Sequence, residues 1–308
     1  MRRFLIDTDT ASDDAVALVM ALRHPDVHVE AITVVAGNVP LEQGAQNALY
    51  TVELCERSTP VYLGMDRPLL RPLETAQYVH GSDGLGDIGL ALTGRRPAPG
   101  NAVDVIVDTI NSSPGEITLV SIGPLTNLAM ALLRDPTIAD KVDEYIMMGG
   151  IGYGYGNVTP VAEYNIWVDP EAAAIVFKSG LPVTMVGWDV SRQYAVLDLR
   201  DVEAMRAIGT PLADFCLDIQ TTLTDYAVNV SKLLNFDLPD PIAMAVALDR
   251  SVVTDERRLF VEVCTDSEMC RGQTVVDHLD STGNPANTDV ILAASRERFL
   301  QMLFDAVR

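Results

Sequence analysis

The sequence predicts an α/β fold, a doubly wound and mostly parallel central sheet with helices on both faces. Three observations carry that expectation. Apolar runs of strand length alternate with segments of helical period, polar motifs recur where the runs end, and no repeat, low-complexity tract or clear linker interrupts the series. The 308 residues are therefore expected to form one domain spanning 1–308.

In chain order, β-branched and apolar runs place strands at 4–6, 31–36, 61–63, 117–122, 145–148, 181–186 and 259–263. Between the first six of these, apolar residues recur at helical spacing over 14–23, 41–56, 102–112, 127–134 and 170–179. Strand, helix, strand, repeated in this way, gives βαβ units and parallel pairing. Further helices are expected at 211–230, 241–248 and 289–307. Three longer connections, 66–90, 149–168 and 231–239, are candidates to wall a site, because long loops in compact domains are often functional.

Charge narrows the range of partners. The net charge is −21 and the pI about 4.4, which opposes binding to phosphate backbones or anionic lipid, so neither nucleic acid nor membrane is expected. Arg2 and Arg3 precede a short apolar run that Asp7 and Asp9 interrupt, so no signal peptide is read there and a cytoplasmic location is expected. Cys55, Cys216, Cys264 and Cys270 lack metal-ligand spacing and read as buried free thiols.

The stretch FLIDTDTASDD, residues 4–14, holds Asp7, Asp9, Asp13 and Asp14 with no Lys or Arg among them. Asp7 and Asp9 end a strand and share a side by its two-residue period, while Asp13 and Asp14 open the next helix. Negative charge near a helix N-terminus is worth about 0.3–1 kcal/mol, which accounts for two of the four. Converging carboxylates repel one another unless a cation neutralises them, and a hard oxygen set selects Ca²⁺ or Mg²⁺. An EF-hand loop beginning at Asp7 fails, because Ser12 and Leu18 stand where Gly and Glu are required. An apolar run followed by Asp-x-Asp-x-Thr also resembles the opening of haloacid-dehalogenase-type phosphatases.

The remaining motifs decide against the phosphatase. VVAGN ends one strand with Asn38, SIGPLTN ends another and carries Thr126, and IMMGG ends a third with Met148. Strand C-terminal ends are where open α/β sheets bind ligands. Asn157, Glu163 and Asn165 follow in or beside one long loop and suit the hydroxyls of a sugar, and Asp240 precedes Pro241 as an N-cap and first-helical-residue pair. No phosphate-binding Ser/Thr and Lys constellation accompanies them.

Taken together, DTDTASDD, VVAGN, HGSDGLG, SIGPLTN, the EYN segment and the late DPIA resemble the nucleoside hydrolases, the inosine-uridine-preferring ribohydrolase family, from about Phe4 to beyond Asp240. The resemblance implies a Rossmann-like nucleoside hydrolase fold and Ca²⁺-dependent hydrolysis of ribonucleosides to free base and ribose, in a homodimer or homotetramer. It implies Ca²⁺ ligation by Asp9, Asp14, the Thr126 carbonyl and Asp240, with Asp7 as ligand or support. Asp9 would also be the general base that deprotonates the attacking water. Asp13, Asn38, Met148, Asn157, Glu163 and Asn165 match positions that line the ribose, and His80 matches a His that some pyrimidine-preferring members place near the base.

One departure stands out. Many members carry a His immediately before the late metal-binding Asp, placed to protonate the leaving base, and here that residue is Pro239. Tyr226 and Asp237 are the nearby candidates to face the base, whereas Trp167 and Trp188 read as core. Besides nucleoside hydrolysis, the sequence is compatible with hydrolysis of another N-riboside with a better leaving group, or with a nucleoside- or ribose-binding protein that has lost leaving-group catalysis.

Overall fold

Strand β1 (Arg2–Thr8) lies inside a single nine-stranded sheet in the computed structural model, which describes residues 1–308. The others are β2 (Val27–Val34), β3 (Val61–Leu63), β4 (Ile117–Ser121), β5 (Glu144–Met148), β6 (Val183–Val186), β7 (Val253–Val263), β8 (Thr274–Asp277) and β9 (Thr288–Ala294). Their spatial order is β3-β2-β1-β4-β5-β6-β9-β7-β8. The run from β3 to β9 is parallel throughout; β7 pairs antiparallel with both β9 and β8 at the far edge. After β3 the chain crosses back over β1 to β4 and then winds the other way. This places the switch point, where crossovers diverge and leave a crevice, between the C-terminal ends of β1 and β4.

Alternation along the strands divides the interior into two apolar cores, one on each face of the sheet. Phe4 and Ile6 of β1 join one core and Leu5 the other; Val120 of β4 and Ile146 of β5 follow the first, Leu119 and Tyr145 the second. The first core receives the helices Ser12–Arg23, Leu41–Leu54, Pro239–Leu248 and Arg296–Ala306, and the second receives Ala102–Ser112, Thr126–Arg134 and Pro170–Phe177. Strands buried on both faces explain why the sequence shows continuous apolar runs there rather than polar alternation. No helix is long and apolar enough to cross a membrane.

Several elements differ from the sequence expectation. The helix expected over 289–307 is strand β9 followed by the helix Arg296–Ala306. The apolar, β-branched run of Val290 and Ile291 pairs with β6, and Ser295 caps the helix by accepting the Arg298 N–H at 3.2 Å. The expected helix 211–230 is two, Pro211–Asp218 and Thr221–Asn229, broken where the buried Gln220 side chain donates to the Ser12 carbonyl at 2.9 Å. Strand β8 and the helices Trp188–Tyr194 and Leu199–Arg206 were not expected. Cys55 and Cys216 are buried free thiols, but Cys264 and Cys270 form a disulfide across a hairpin between β7 and β8.

Candidate active site

The end of β1 delivers its carboxylates into the switch-point crevice. Asp7, completely buried, accepts from Thr33 Oγ1 at 2.6 Å and from Asn127 Nδ2 at 2.8 Å, both through Oδ1. Asn127 also donates to the Val34 carbonyl and accepts the Met65 N–H, so it bolts three strand ends together around Asp7. Asp9, just beyond the strand, accepts the Asn38 N–H at 2.6 Å through Oδ2, and its buried Oδ1 has no partner. Asp14 accepts from Thr8 Oγ1 at 2.6 Å and from the Ala11 N–H at 3.0 Å, in the first turn of the helix Ser12–Arg23.

Two glycines make room for Asp9. A methyl group at Gly123 would lie 2.7 Å from Asp9 Oδ1, and one at Gly37 would overlap Asp9 Oδ2. Neither glycine needs a left-handed backbone; the requirement is space. These are the glycines of VVAGN and SIGPLTN, whose function the motifs signal only through the residue that they touch.

Asp240 arrives from the opposite side of the molecule's sequence. The helix begins at Pro239 and not at Pro241, so Asp240 sits inside the first turn instead of capping it. Carboxylate oxygens of Asp13, Asp14 and Asp240 all lie within 4.8 Å of one another, and all three residues are buried. Burial, followed by repulsion from Asp13, Asp14 and Asp9, drives the Asp240 carboxyl well above its ordinary range. Burial and then Asp14 do the same to Asp9 and Asp13. No Lys or Arg pairs with Asp9, Asp13, Asp14 or Asp240, and Asp13 Oδ1 is buried without a partner. The cluster is short of positive charge, and its donor set of hard oxygens suits a divalent cation. The Thr126 side chain is engaged elsewhere, its hydroxyl donating to Asp169 at 2.6 Å, so at the start of the helix Thr126–Arg134 this residue has only its carbonyl to offer an ion.

Beside this cluster opens a cavity of about 270 Å³, and each of the three long connections contributes to its wall. From 66–90 come Tyr78 and His80; from 149–168 come Asn157, Glu163 and Asn165; from 231–239 come Ser231, Asp237 and Pro239. Asp13, Asn38, Met148 and Asp240 complete the polar end, whereas Asp7, Asp9, Asp14 and Thr126 lie behind the surface. Glu163 caps the short helix Tyr164–Val168, accepting N–H groups of Asn165 and Gly150 at 2.8 Å each. Burial nevertheless raises its carboxyl to about 7. Asn165 Nδ2 donates to the carbonyls of Ile122 and Met148, which ties that helix to the ends of β4 and β5. Asn157 Oδ1 accepts the Tyr164 N–H at 3.0 Å.

His80 is buried, with Nδ1 2.9 Å from Ser12 Oγ and 3.8 Å from Asp13 Oδ1. Burial pushes the imidazole down to about 4. Tyr226 lines the cavity and packs edge-on against Tyr78, ring centroids 5.5 Å apart. Asp237 also lines it, but its carboxylate is paired with Arg192 through one oxygen at 2.9 Å and accepts from Ser191 through the other at 2.5 Å, so both oxygens are engaged. Trp188, read as core from the sequence, does belong to the first apolar core and in addition forms part of the wall next to Tyr155; Trp167 does not reach it. A single Trp inside an apolar run gives no sign of which face it will take.

Residues 4–301 match the family model described as inosine-uridine preferring nucleoside hydrolase. The chain is similar to a pyrimidine-specific ribonucleoside hydrolase RihA of Shewanella sp. (strain ANA-3), 39% identical over 99% of this chain and 96% of the relative. A pyrimidine-specific ribonucleoside hydrolase RihB of Escherichia coli (strain SE11) is 36% identical over 100% and 97%. Among solved structures, a plant nucleoside hydrolase superposes with a TM-score of 0.93 at 33% identity, over 99% of this chain and 98% of that one. A purine-preferring ribonucleoside hydrolase from Gardnerella vaginalis gives 0.91 at 31% identity over the same shares.

Proposed function

The chain belongs to the inosine-uridine preferring nucleoside hydrolase family and is a ribonucleoside hydrolase, an N-glycosidase, and from that premise we propose that it acts on pyrimidine ribonucleosides with Ca²⁺ as its metal. The observation that carries the metal is the buried group Asp13, Asp14 and Asp240, short of positive charge and beside a cavity walled by amide and carboxylate groups. Base preference rests on the pyrimidine-specific relatives and on His80 in the cavity wall.

Asp9, Asp14, Asp240 and the Thr126 carbonyl would hold the ion, with Asp7, whose Oδ2 is buried without a partner, as a further ligand or support, and Asp13 close enough to Asp14 and Asp240 to add a carboxylate oxygen. Ca²⁺ accepts 6 to 8 oxygens, which leaves positions for ribose hydroxyls and water. Bound there, the ion would supply charge neutralisation, an anchor for vicinal hydroxyls and a lowered water pKa. The rest of the chemistry belongs to the protein. Asn38 and the two glycines orient Asp9, whose free Oδ1 takes the proton of the attacking water. As the bond from the anomeric carbon to the base nitrogen lengthens, positive charge builds on the sugar, and the surrounding carboxylates stabilise it in a site of low dielectric. Asn157, Glu163 and Asn165 hold the ribose. Pro239 has no proton to give, so His80, Tyr78 and Tyr226 are the groups available to the departing base.

Ribose release from uridine, cytidine and inosine, with p-nitrophenyl riboside as a substrate whose leaving group needs no protonation, tests this reading. Turnover of uridine and cytidine above inosine, lost by at least about 1,000-fold in Asp9→Asn, is the expected result. Turnover of p-nitrophenyl riboside alone would instead locate a defect in leaving-group activation at Pro239 and favour, as the substrate, an N-riboside with a better leaving group.

A further inference from the structure

The helix Tyr164–Val168 presents Asn165 and is capped by Glu163, yet it has five residues, far too few to hold its own orientation. Its outer end is gripped from a distant part of the chain. Arg271, in the hairpin between β7 and β8, is buried; its Nε donates to the Trp167 carbonyl at 3.0 Å and its guanidinium lies 4.0 Å over the Trp167 ring. Gly272 presses on the same residue, where a methyl group would come within 2.5 Å of Trp167 Cα. Arg271 Nη1 pairs with Glu74 at 3.3 Å, and Tyr164 Oη donates to the Glu74 carbonyl at 2.8 Å. Glu74 belongs to the connection that leads directly into the helix Gln77–His80. One guanidinium thus joins two segments that wall the cavity, without lining it.

We propose that Arg271 is a positioning residue for ribose, fixing from outside the cavity the helix that presents Asn165 and Glu163. The inference rests on the reading that those two residues hold the sugar. Arg suits the task because its planar fork bonds, stacks and pairs at once, which Lys cannot do.

The test compares wild type, Arg271→Ala and Glu74→Gln with Ca²⁺ present, measuring KM and kcat for uridine and the Kd of free D-ribose by calorimetry. Loss of positioning should weaken ground state and transition state alike, so KM and ribose Kd rise together, by about 10-fold in Arg271→Ala and about 2- to 3-fold in Glu74→Gln, with kcat within about 3-fold. In an Asn165→Ala background, Arg271→Ala should add less than it costs in wild type, because the part of its effect that runs through Asn165 is already lost. Guanidinium ion at tens of millimolar should restore ribose affinity to Arg271→Ala. Unchanged KM and ribose Kd, or a fall in kcat alone, would overturn the proposal. Should Arg271→Ala fail to fold, Glu74→Gln decides, since its side chain is half exposed. A wild type that binds ribose but releases none from any nucleoside would sink the hydrolase reading and leave the ribose Kd values to judge Arg271. A wild type that binds no ribose overturns both.

Discussion

Asp9 sits where two glycines leave it just enough room, and that spacing makes a single methyl group informative. Gly37→Ala should force the Asp9 carboxylate aside and lower ribose release by about 100-fold or more, with an unchanged far-UV circular dichroism spectrum, because a 1 Å misplacement at a reacting group can cost about 100-fold. Pro239 gives a prediction of the opposite sign. It occupies the first helical turn beside Asp240, where His can stand at the loss of only a preset φ. Pro239→His should raise kcat on uridine by about 10-fold or more while leaving p-nitrophenyl riboside within about 2-fold, since general-acid help contributes about 100- to 10,000-fold when fully positioned. The carboxylates of 7–14 were legible in the sequence because charge at a strand end is conspicuous, whereas Asn38, Asn157, Glu163 and Asn165, which look singly like turn or capping residues, were reached only through the resemblance that the ordered motifs carry. Asn127, Gly123 and Arg271 were not, because each acts through a neighbour far away in the chain and looks locally like a helix, turn or surface residue.

Elements were legible where local pattern and tertiary role agree. The parallel strands β1, β4, β5 and β6 are buried on both faces over most of their length and read as apolar runs of strand length. The C-terminal quarter was harder: β9 runs into a helix after one capping serine, so apolar residues of period two and of period 3.6 adjoin without a Gly or Pro between them. What anchors that last helix is an ion pair, Arg298 Nη2 donating to Asp249 at 2.8 Å, on the turn after the helix Pro239–Leu248. Arg298, helped by the Ser251 N–H, holds the Asp249 carboxyl down to about 2. A depressed acid contributes stability that is present above its unfolded value near 4 and is lost as pH falls through 2. Asp249→Asn should therefore lower Tm by about 1–3 °C at pH 7, a small effect because both side chains are partly exposed, and the difference should shrink as pH falls from 4 and vanish only below 2.

At the scale of the whole molecule, topology explains why residues so far apart in sequence meet. The winding reverses between β1 and β4, leaving a crevice there. The connections after β1, β2, β4 and β5 all open on that side, and the helix Pro239–Leu248 crosses to bring Asp240 in. A protein with a net charge of −21 then concentrates buried carboxylates at that crevice, where only a cation makes their simultaneous ionisation tolerable. The most direct test of the account is the initial rate of ribose release from uridine by chelator-stripped protein as Ca²⁺ is added back. The account predicts a rate near zero without metal that rises and saturates together with Ca²⁺ binding measured calorimetrically on the same sample. A rate indifferent to Ca²⁺, or no release at saturating Ca²⁺, would contradict it.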